Sequence, residues 1–202
     1  MSLLTDNPDG ATPLSPDDLI GLKLPHIQTR SQLNEIEAAN ILQGQAWVAS
    51  HNTLTRDEIF SREFVVALHE SLLGDIWTWA GTFRQREVNI GVDPVNISVD
   101  LHNFLEDAKC WVEFNHFTPL ELNARIQHRL VQIHCFTNGN GRHSRIFADT
   151  VTIFLLKKKL LKWANVELEY VSNERNEYIG ALRKADAGDF THLESYLLNI
   201  GN

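Results

Sequence analysis

Apolar residues recur along most of this chain at spacings of three and four, the period of helices that turn one face to a core. Phe60, Phe64, Ala67, Leu68 and Leu72 form one such stripe, between a capping box at Thr55-Arg56-Asp57-Glu58 and a stop at Gly74. Leu101, Phe104, Leu105, Ala108, Trp111 and Val112 form a second, starting at Ser98 or Asp100 and running to about Asn115. A third is announced by Thr118-Pro119-Leu120-Glu121, where threonine caps, proline opens the helix and glutamate reaches back. Leu122, Ile126, Leu130 and Ile133 carry that stripe to the edge of His134. Residues 142–162 are apolar on nearly every side (Ile146, Phe147, Val151, Phe154, Leu155), which predicts an enclosed central helix.

Ser31 reads as the cap of a helix running to about Ala49, and Ser172 and Asp189 as caps of two more, separated by Gly188. Residues 75–81 read as a short turn ending at Gly81. Strand character is confined to 83–97, where Val88 and Ile90, then Val95 and Ile97, alternate with polar neighbours around Gly91 and Pro94. That pattern predicts one small hairpin. Residues 1–30, rich in Pro, Asp and Thr, read as an extended arm with one short helix after Ser15. The expected fold is all-α with a single hairpin. An N-terminal arm and helix span 1–54, and a compact helical unit spans 55–202.

Composition narrows the function. With 202 residues and 43% hydrophobic content the chain is long enough for one sizeable core. A net charge of −8 argues against a general binder of nucleic acid or membrane surface. Lys157-Lys158-Lys159 reads as a solvated helix end. Cys110 and Cys135 are too few for a disulfide framework, and Cys110 reads as a small buried hydrophobe. With no basic-then-apolar leader and no apolar run near 20 residues, the expected compartment is a reducing cytoplasm.

The chemistry concentrates in residues 134–145, His-Cys-Phe-Thr-Asn-Gly-Asn-Gly-Arg-His-Ser-Arg. Glycine-freed amides at a helix start make an anion site. Arg142 and Arg145 add forked cationic donors suited to phosphate, and His134 beside them titrates near neutrality. A phosphate grip next to a base suits transfer of a phosphate-containing group to a hydroxyl. Cys135 as nucleophile is disfavoured, because neighbours at a helix end rarely face one another and no separate base is in view. Phe136 reads as a core anchor, and Trp77 and Trp79 as core residues. His143 reads as an exposed helix residue, with reach to the nucleotide or target as the other reading.

The string resembles the Fic family motif His-x-Phe-x-(Asp/Glu)-Gly-Asn-Gly-Arg-x-x-Arg, departing from it at Asn138, where the family carries a carboxylate. Trp79-Ala80-Gly81-Thr82-Phe83-Arg84 is similar to the segment that precedes the family's flap hairpin. The likeness covers roughly 55–200, and the extra N-terminal portion is similar to a bacterial subgroup called mobile mystery protein B. The resemblance implies a Fic-like helical bundle and transfer of AMP from ATP to a hydroxyl of a target protein. His134 would be the general base, with Asn138, Gly139, Asn140, Gly141, Arg142 and Arg145 holding the nucleotide. Asn138 would be a weak ligand for Mg²⁺ or Mn²⁺. Arg84, Val88, Asn89 and Ile90 would form the flap that docks the target as an added strand.

Ser31 and Glu35 partly match the family's inhibitory helix motif, which implies that Glu35 restrains the second motif arginine, with Glu37 as the alternative. The departure at Asn138 leaves three outcomes open: AMP transfer with weak metal dependence, a different nucleotide or phosphoryl donor, or a non-catalytic binding module. Self-modification and a homodimer also stay open. No membrane or nucleic-acid partner is expected.

Overall fold

The structure, a computed structural model, describes residues 12–158 and 173–201. Its elements are helices: α1 (Pro16–Ile20), α2 (Arg30–Ala49), α3 (Arg56–Ile59), α4 (Arg62–Leu73), α5 (Ile97–Glu113), α6 (Pro119–Ile133), α7 (Asn140–Phe154), α8 (Asn173–Asp186) and α9 (Thr191–Gly201). Several starts follow from local chemistry. Ser15, Thr55 and Thr118 each form a reciprocal capping box with the acidic residue three positions on. Asp189 accepts from the Thr191 N–H at 3.0 Å ahead of α9. Ser172 and residues 159–162 lie outside the described residues, and α7 closes at Phe154.

Three local expectations need correction. The cap of α2 is Thr29, because only from there does a long amide, Gln32, stand three residues on and reach back to the cap N–H at 3.1 Å. From Ser31 the same position is the shorter Asn34. The stripe from Thr55 to Gly74 is two helices rather than one. Phe60 leaves helical geometry (ψ 48°) and Ser61 caps afresh, accepting from the Phe64 N–H at 3.1 Å. Cys110 is exposed, not buried.

The hairpin is a further correction. Among the described residues no strand ladder forms over 83–97, and Pro94–Asn96 is a 3-10 turn. The Arg84 N–H donates to the Cys135 carbonyl at 3.0 Å and the Val92 N–H to the Ile133 carbonyl at 3.4 Å. The backbones of Arg84 and Val92 therefore pair with the segment carrying His134 and form no ladder with each other. The alternating runs are too short to compete with those bonds.

The α6 and α7 helices lie side by side, α2 lies along α4, α4 meets α7, and α8 with α9 covers another side of α6. Ile59, Leu68, Leu72, Phe104, Ile126, Ile133, Phe136 and Phe147 fill the main core. Tyr178, Leu193 and Leu197 form a second cluster against Ala124. The arm is docked onto the main core. Leu14 is buried in it, a contribution of about 1.5–3 kcal/mol for a leucine side chain. Asp18 is ion-paired with Arg86, and the Asp18 carbonyl accepts from Trp79 Nε1 at 3.1 Å. Leu22 bridges to Trp77 through bonds from Thr78 N–H to Gly21 and from Lys23 N–H to Ile76, both 2.8 Å.

Candidate active site

Helix α6 ends because His134 turns left-handed, at φ 55° and ψ 61°. A non-glycine residue in that region costs about 1–3 kcal/mol and persists only where its surroundings fix it. Here the His134 N–H bonds to the Leu130 carbonyl at 3.0 Å, and its own carbonyl accepts from Arg84 Nε at 2.6 Å. The ring is 4% exposed. Nδ1 faces the Val131 carbonyl at 3.1 Å, and since a carbonyl only accepts, the proton sits on Nδ1. Nε2 is thereby left as an acceptor, 2.9 Å from the Thr12 hydroxyl oxygen. Burial pushes the imidazole down to about 4; the Val131 carbonyl opposes this and the Arg84 charge adds to it. The ring is a neutral base at physiological pH.

The loop after His134 is stapled from two sides. The Asn140 side chain accepts from the Phe136 N–H at 2.9 Å and donates to its carbonyl at 2.8 Å. His69 stacks on Phe136 with centroids 3.7 Å apart. The same ring accepts at Nδ1 from the Gly81 N–H and donates from Nε2 to the Asn138 carbonyl, both at 3.0 Å. Gly139 is left-handed at φ 77°, and a Cβ there would lie 2.5 Å from Leu73 Cδ1. The first bond of α7 runs from the His143 N–H to the Gly139 carbonyl at 3.0 Å, with no side-chain cap. The amides of Asn140, Gly141 and Arg142 therefore precede the helical ladder, at the positive end of the helix dipole. Gly141 is not required by the fold, since a Cβ there would meet only Arg145 Nη1, at 3.6 Å.

His134 and the loop from Asn138 to Arg142 line a cavity of about 730 Å³. Arg30, Arg129, Arg142, Arg145, Arg175 and Arg183 line it against two carboxylates, Glu37 and Asp186. A chain of net charge −8 thus concentrates positive charge in one place, which suits a polyanion. Tyr178, Ile179 and Leu182 give the cavity an apolar wall. Arg145 lies over the Tyr178 ring at 5.7 Å. Arg142 Nη1 donates to Glu37 Oε2 at 2.8 Å, and the other oxygen of that carboxylate accepts from Trp77 Nε1 at 2.9 Å.

The structure brings His134, Asn138, Gly139, Gly141, Arg142 and Arg145 to one cavity. Several expected roles shift. Glu35 is exposed on α2, and the buried carboxylate at the site is Glu37, two residues on and on another side of the helix. It meets the first motif arginine. The Asn140 side chain holds the loop, so what it offers a ligand is its backbone N–H. Arg84 is 3% exposed and serves as an internal strut, donating to the carbonyls of His134, Arg86 and Val92. Of the other flap residues, Val88 is half-buried and Asn89 and Ile90 are exposed at the cavity edge. His143 is buried, bonds to the Val65 carbonyl at 3.0 Å and does not line the cavity. The Cys135 thiol is pushed by burial up to about 12, which removes it as a nucleophile. Phe136, Trp77 and Trp79 pack as core residues, with Trp77 stacked on Trp79 at 4.8 Å.

Asn138 does not fit a divalent cation. Its Nδ2 donates to the Thr12 carbonyl at 2.9 Å, and its Oδ1 accepts from the Gly139 N–H at 2.7 Å. A hard cation seeks anionic oxygens, and this neutral oxygen is already engaged. No cluster of three or more His, Cys, Asp or Glu able to hold a metal occurs among the described residues. Sequence reasoning missed Thr12, His69, Arg30 and Arg175. His69 had a signal, since it falls on the buried stripe of Val65, Leu68 and Leu72. Thr12 had none.

Residues 59–152 match the model of the Fic/DOC family. Curated relatives include proteins named protein adenylyltransferase Fic. That of Drosophila yakuba is 27% identical over 129 residues, 62% of this chain and 24% of the relative. That of Aedes aegypti is 24% identical over 140 residues, 67% of this chain and 26% of the relative. The chain thus spans about a quarter of the length of these relatives. Among solved structures, the N-terminal FIC domain of the Bep8 protein from Bartonella sp. 1-1C superposes with a TM-score of 0.67 at 15% identity, covering 90% of this chain and 94% of that one. The BepC protein of Bartonella tribocorum, solved with bound AMPPNP, gives 0.63 at 16% identity, covering 86% and 88%. At such identities the likeness shows the fold.

Proposed function

We propose that this protein transfers AMP from ATP to a hydroxyl of a protein, releasing pyrophosphate. The observation that carries the reading is the acceptor nitrogen of His134, aimed at a hydroxyl oxygen beside an uncapped helix start. A target hydroxyl bound there gives its proton to Nε2 as its oxygen attacks the α-phosphate. Positioned base assistance of this kind contributes about 10²–10⁴-fold. The amides of Asn140, Gly141 and Arg142, with Arg142 and Arg145, receive the charge that grows on pyrophosphate. Gly141 lets the phosphates approach the backbone closely, and Tyr178, Ile179 and Leu182 offer the base an apolar wall. ATP is taken as its Mg²⁺ or Mn²⁺ complex, the cation held by phosphate oxygens rather than by Asn138. Glu37, already on Arg142, restrains the site until the nucleotide displaces it. Cys110 and Cys135, both free, suit a reducing cytoplasm.

A second reading, nucleotide binding without transfer, draws on the missing carboxylate at Asn138. Incubation with ATP labelled in the α- or the γ-phosphate separates the two. AMP transfer labels protein from the α-position only. Binding without any label supports the second reading, and label from the γ-position alone points to phosphoryl transfer.

A further inference from the structure

We propose that Thr12 is an AMP acceptor of this chain, modified within its own molecule. The inference rests on the AMP-transfer reading and adds the acceptor and its mode of presentation. Thr12 is 7% exposed, and its Oγ1 stands 2.9 Å from His134 Nε2, the place an attacking hydroxyl must occupy. The proton on Nδ1 leaves Nε2 able only to accept, so the Thr12 hydroxyl is the donor in that bond. Its backbone is held as a docked peptide would be. The Thr12 carbonyl accepts from Asn138 Nδ2 at 2.9 Å, and the Pro13 carbonyl from Arg86 Nη2 at 3.3 Å.

The contact is built, because the chain just after Thr12 is anchored. Leu14 is buried in the main core, Ser15 caps α1, and Asp18 pairs with Arg86 on the flap loop. Thr12 lines the same cavity as Arg142, Arg145 and the helix start. Asn138 also gains a reason here. A carboxylate, as the family motif has, would set an acceptor against the Thr12 carbonyl, whereas the amide donates to it. Holding a nucleophile beside its base and beside the phosphate site gives well-oriented intramolecular reactions effective molarities of about 10⁵–10⁸ M.

In the step, the Thr12 Oγ1–Pα bond forms and the Pα–O bond to the β-phosphate breaks. Pyrophosphate leaves with that electron pair, and the hydroxyl proton passes to His134 Nε2 and then to solvent. An external target must first displace the arm from the groove.

The test uses the full chain and its Glu37→Gln form with α-labelled ATP and Mg²⁺ or Mn²⁺, mapping the AMP by peptide mass spectrometry. AMP should appear on Thr12, with a rate constant independent of protein concentration, as an intramolecular step requires. Thr12→Val should lower self-labelling about tenfold or more, and Thr12→Ser should restore it. A synthetic peptide of residues 8–18, added to the Thr12→Val chain, reports whether transfer itself is intact. Labelling of that peptide with Thr12 unmodified in both intact chains overturns the inference and leaves AMP transfer standing. Thr12→Val labelling as fast as its parent overturns it too. Label on neither chain nor peptide overturns AMP transfer, and the acceptor with it.

Discussion

Glu37 holds Arg142 through an Oε2–Nη1 contact of 2.8 Å, with the two side chains only 6% and 12% exposed. Removing one partner of a buried ion pair costs about 3–5 kcal/mol. Glu37→Gln keeps an acceptor for Trp77 Nε1 but removes the Glu37 charge from beside Arg142. The ATP-free chain should melt at a lower temperature, and its ATP affinity should rise about tenfold or more, a decade for each ~1.4 kcal/mol. Glu35→Gln, on the exposed side of α2, should change neither. An unaltered dissociation constant in Glu37→Gln would mean that the phosphates do not use Arg142.

Burial of His69, His134 and His143 should make the fold sensitive to acid. Burial is the largest cause in each: His134 and His143 are pushed from 6.5 to about 4, and His69 well below 6.5. In the unfolded chain all three titrate near ~6.5. Between about pH 6.5 and 4 the unfolded state therefore binds more protons, and stability present above 6.5 is lost as pH falls, by at most about 1.4 kcal/mol per pH unit for each ring. The urea midpoint should be clearly lower at pH 5 than at pH 7, and His143→Phe should flatten the difference. Equal midpoints at the two values would contradict the buried, neutral assignment.

Gly91 sits against the base. It is left-handed at φ 119°, and a Cβ there would fall 2.5 Å from Arg84 Nη2 and 2.7 Å from His134 Cβ. Gly91→Ala should push the flap loop off His134 and lower kcat for labelling about tenfold or more, with ATP affinity nearly unchanged. Loss of both together, with a fall in melting temperature, would indicate general misfolding instead.

At position 138 two effects should separate. Asn138→Asp supplies an anionic oxygen, so less Mg²⁺ should be needed for half-maximal labelling. It also replaces the donor to the Thr12 carbonyl with an acceptor, so hydrogen exchange should quicken at residues 12–15. A metal requirement that does not move would show that this side chain never turns toward the nucleotide.

What was legible in the sequence is what is local. Capping boxes at Thr55 and Thr118 and the stripe of α6 depend on residues three or four apart, and they fix helices and the end of α6 at His134. The motif string fixed the loop because Gly139 and the Asn140 staple act within it. Glu37 was harder, since which side of α2 faces the cavity depends on how α2 lies along α4. The flap loop was misread because its partners, the carbonyls of Ile133 and Cys135, lie about forty to fifty residues on. Thr12 meets His134 across 122 residues, and no short-range pattern registers such a contact.

Everything in the proposed chemistry turns on His134 taking the proton from a hydroxyl that attacks the α-phosphate. The most direct measurement compares labelling by α-labelled ATP in the parent chain and in His134→Ala, with ATP binding followed calorimetrically in both. Label should fall to background in His134→Ala while ATP affinity stays within about threefold, since the phosphate donors lie on Asn140, Gly141, Arg142 and Arg145. Label persisting in His134→Ala at the parent rate would contradict that role.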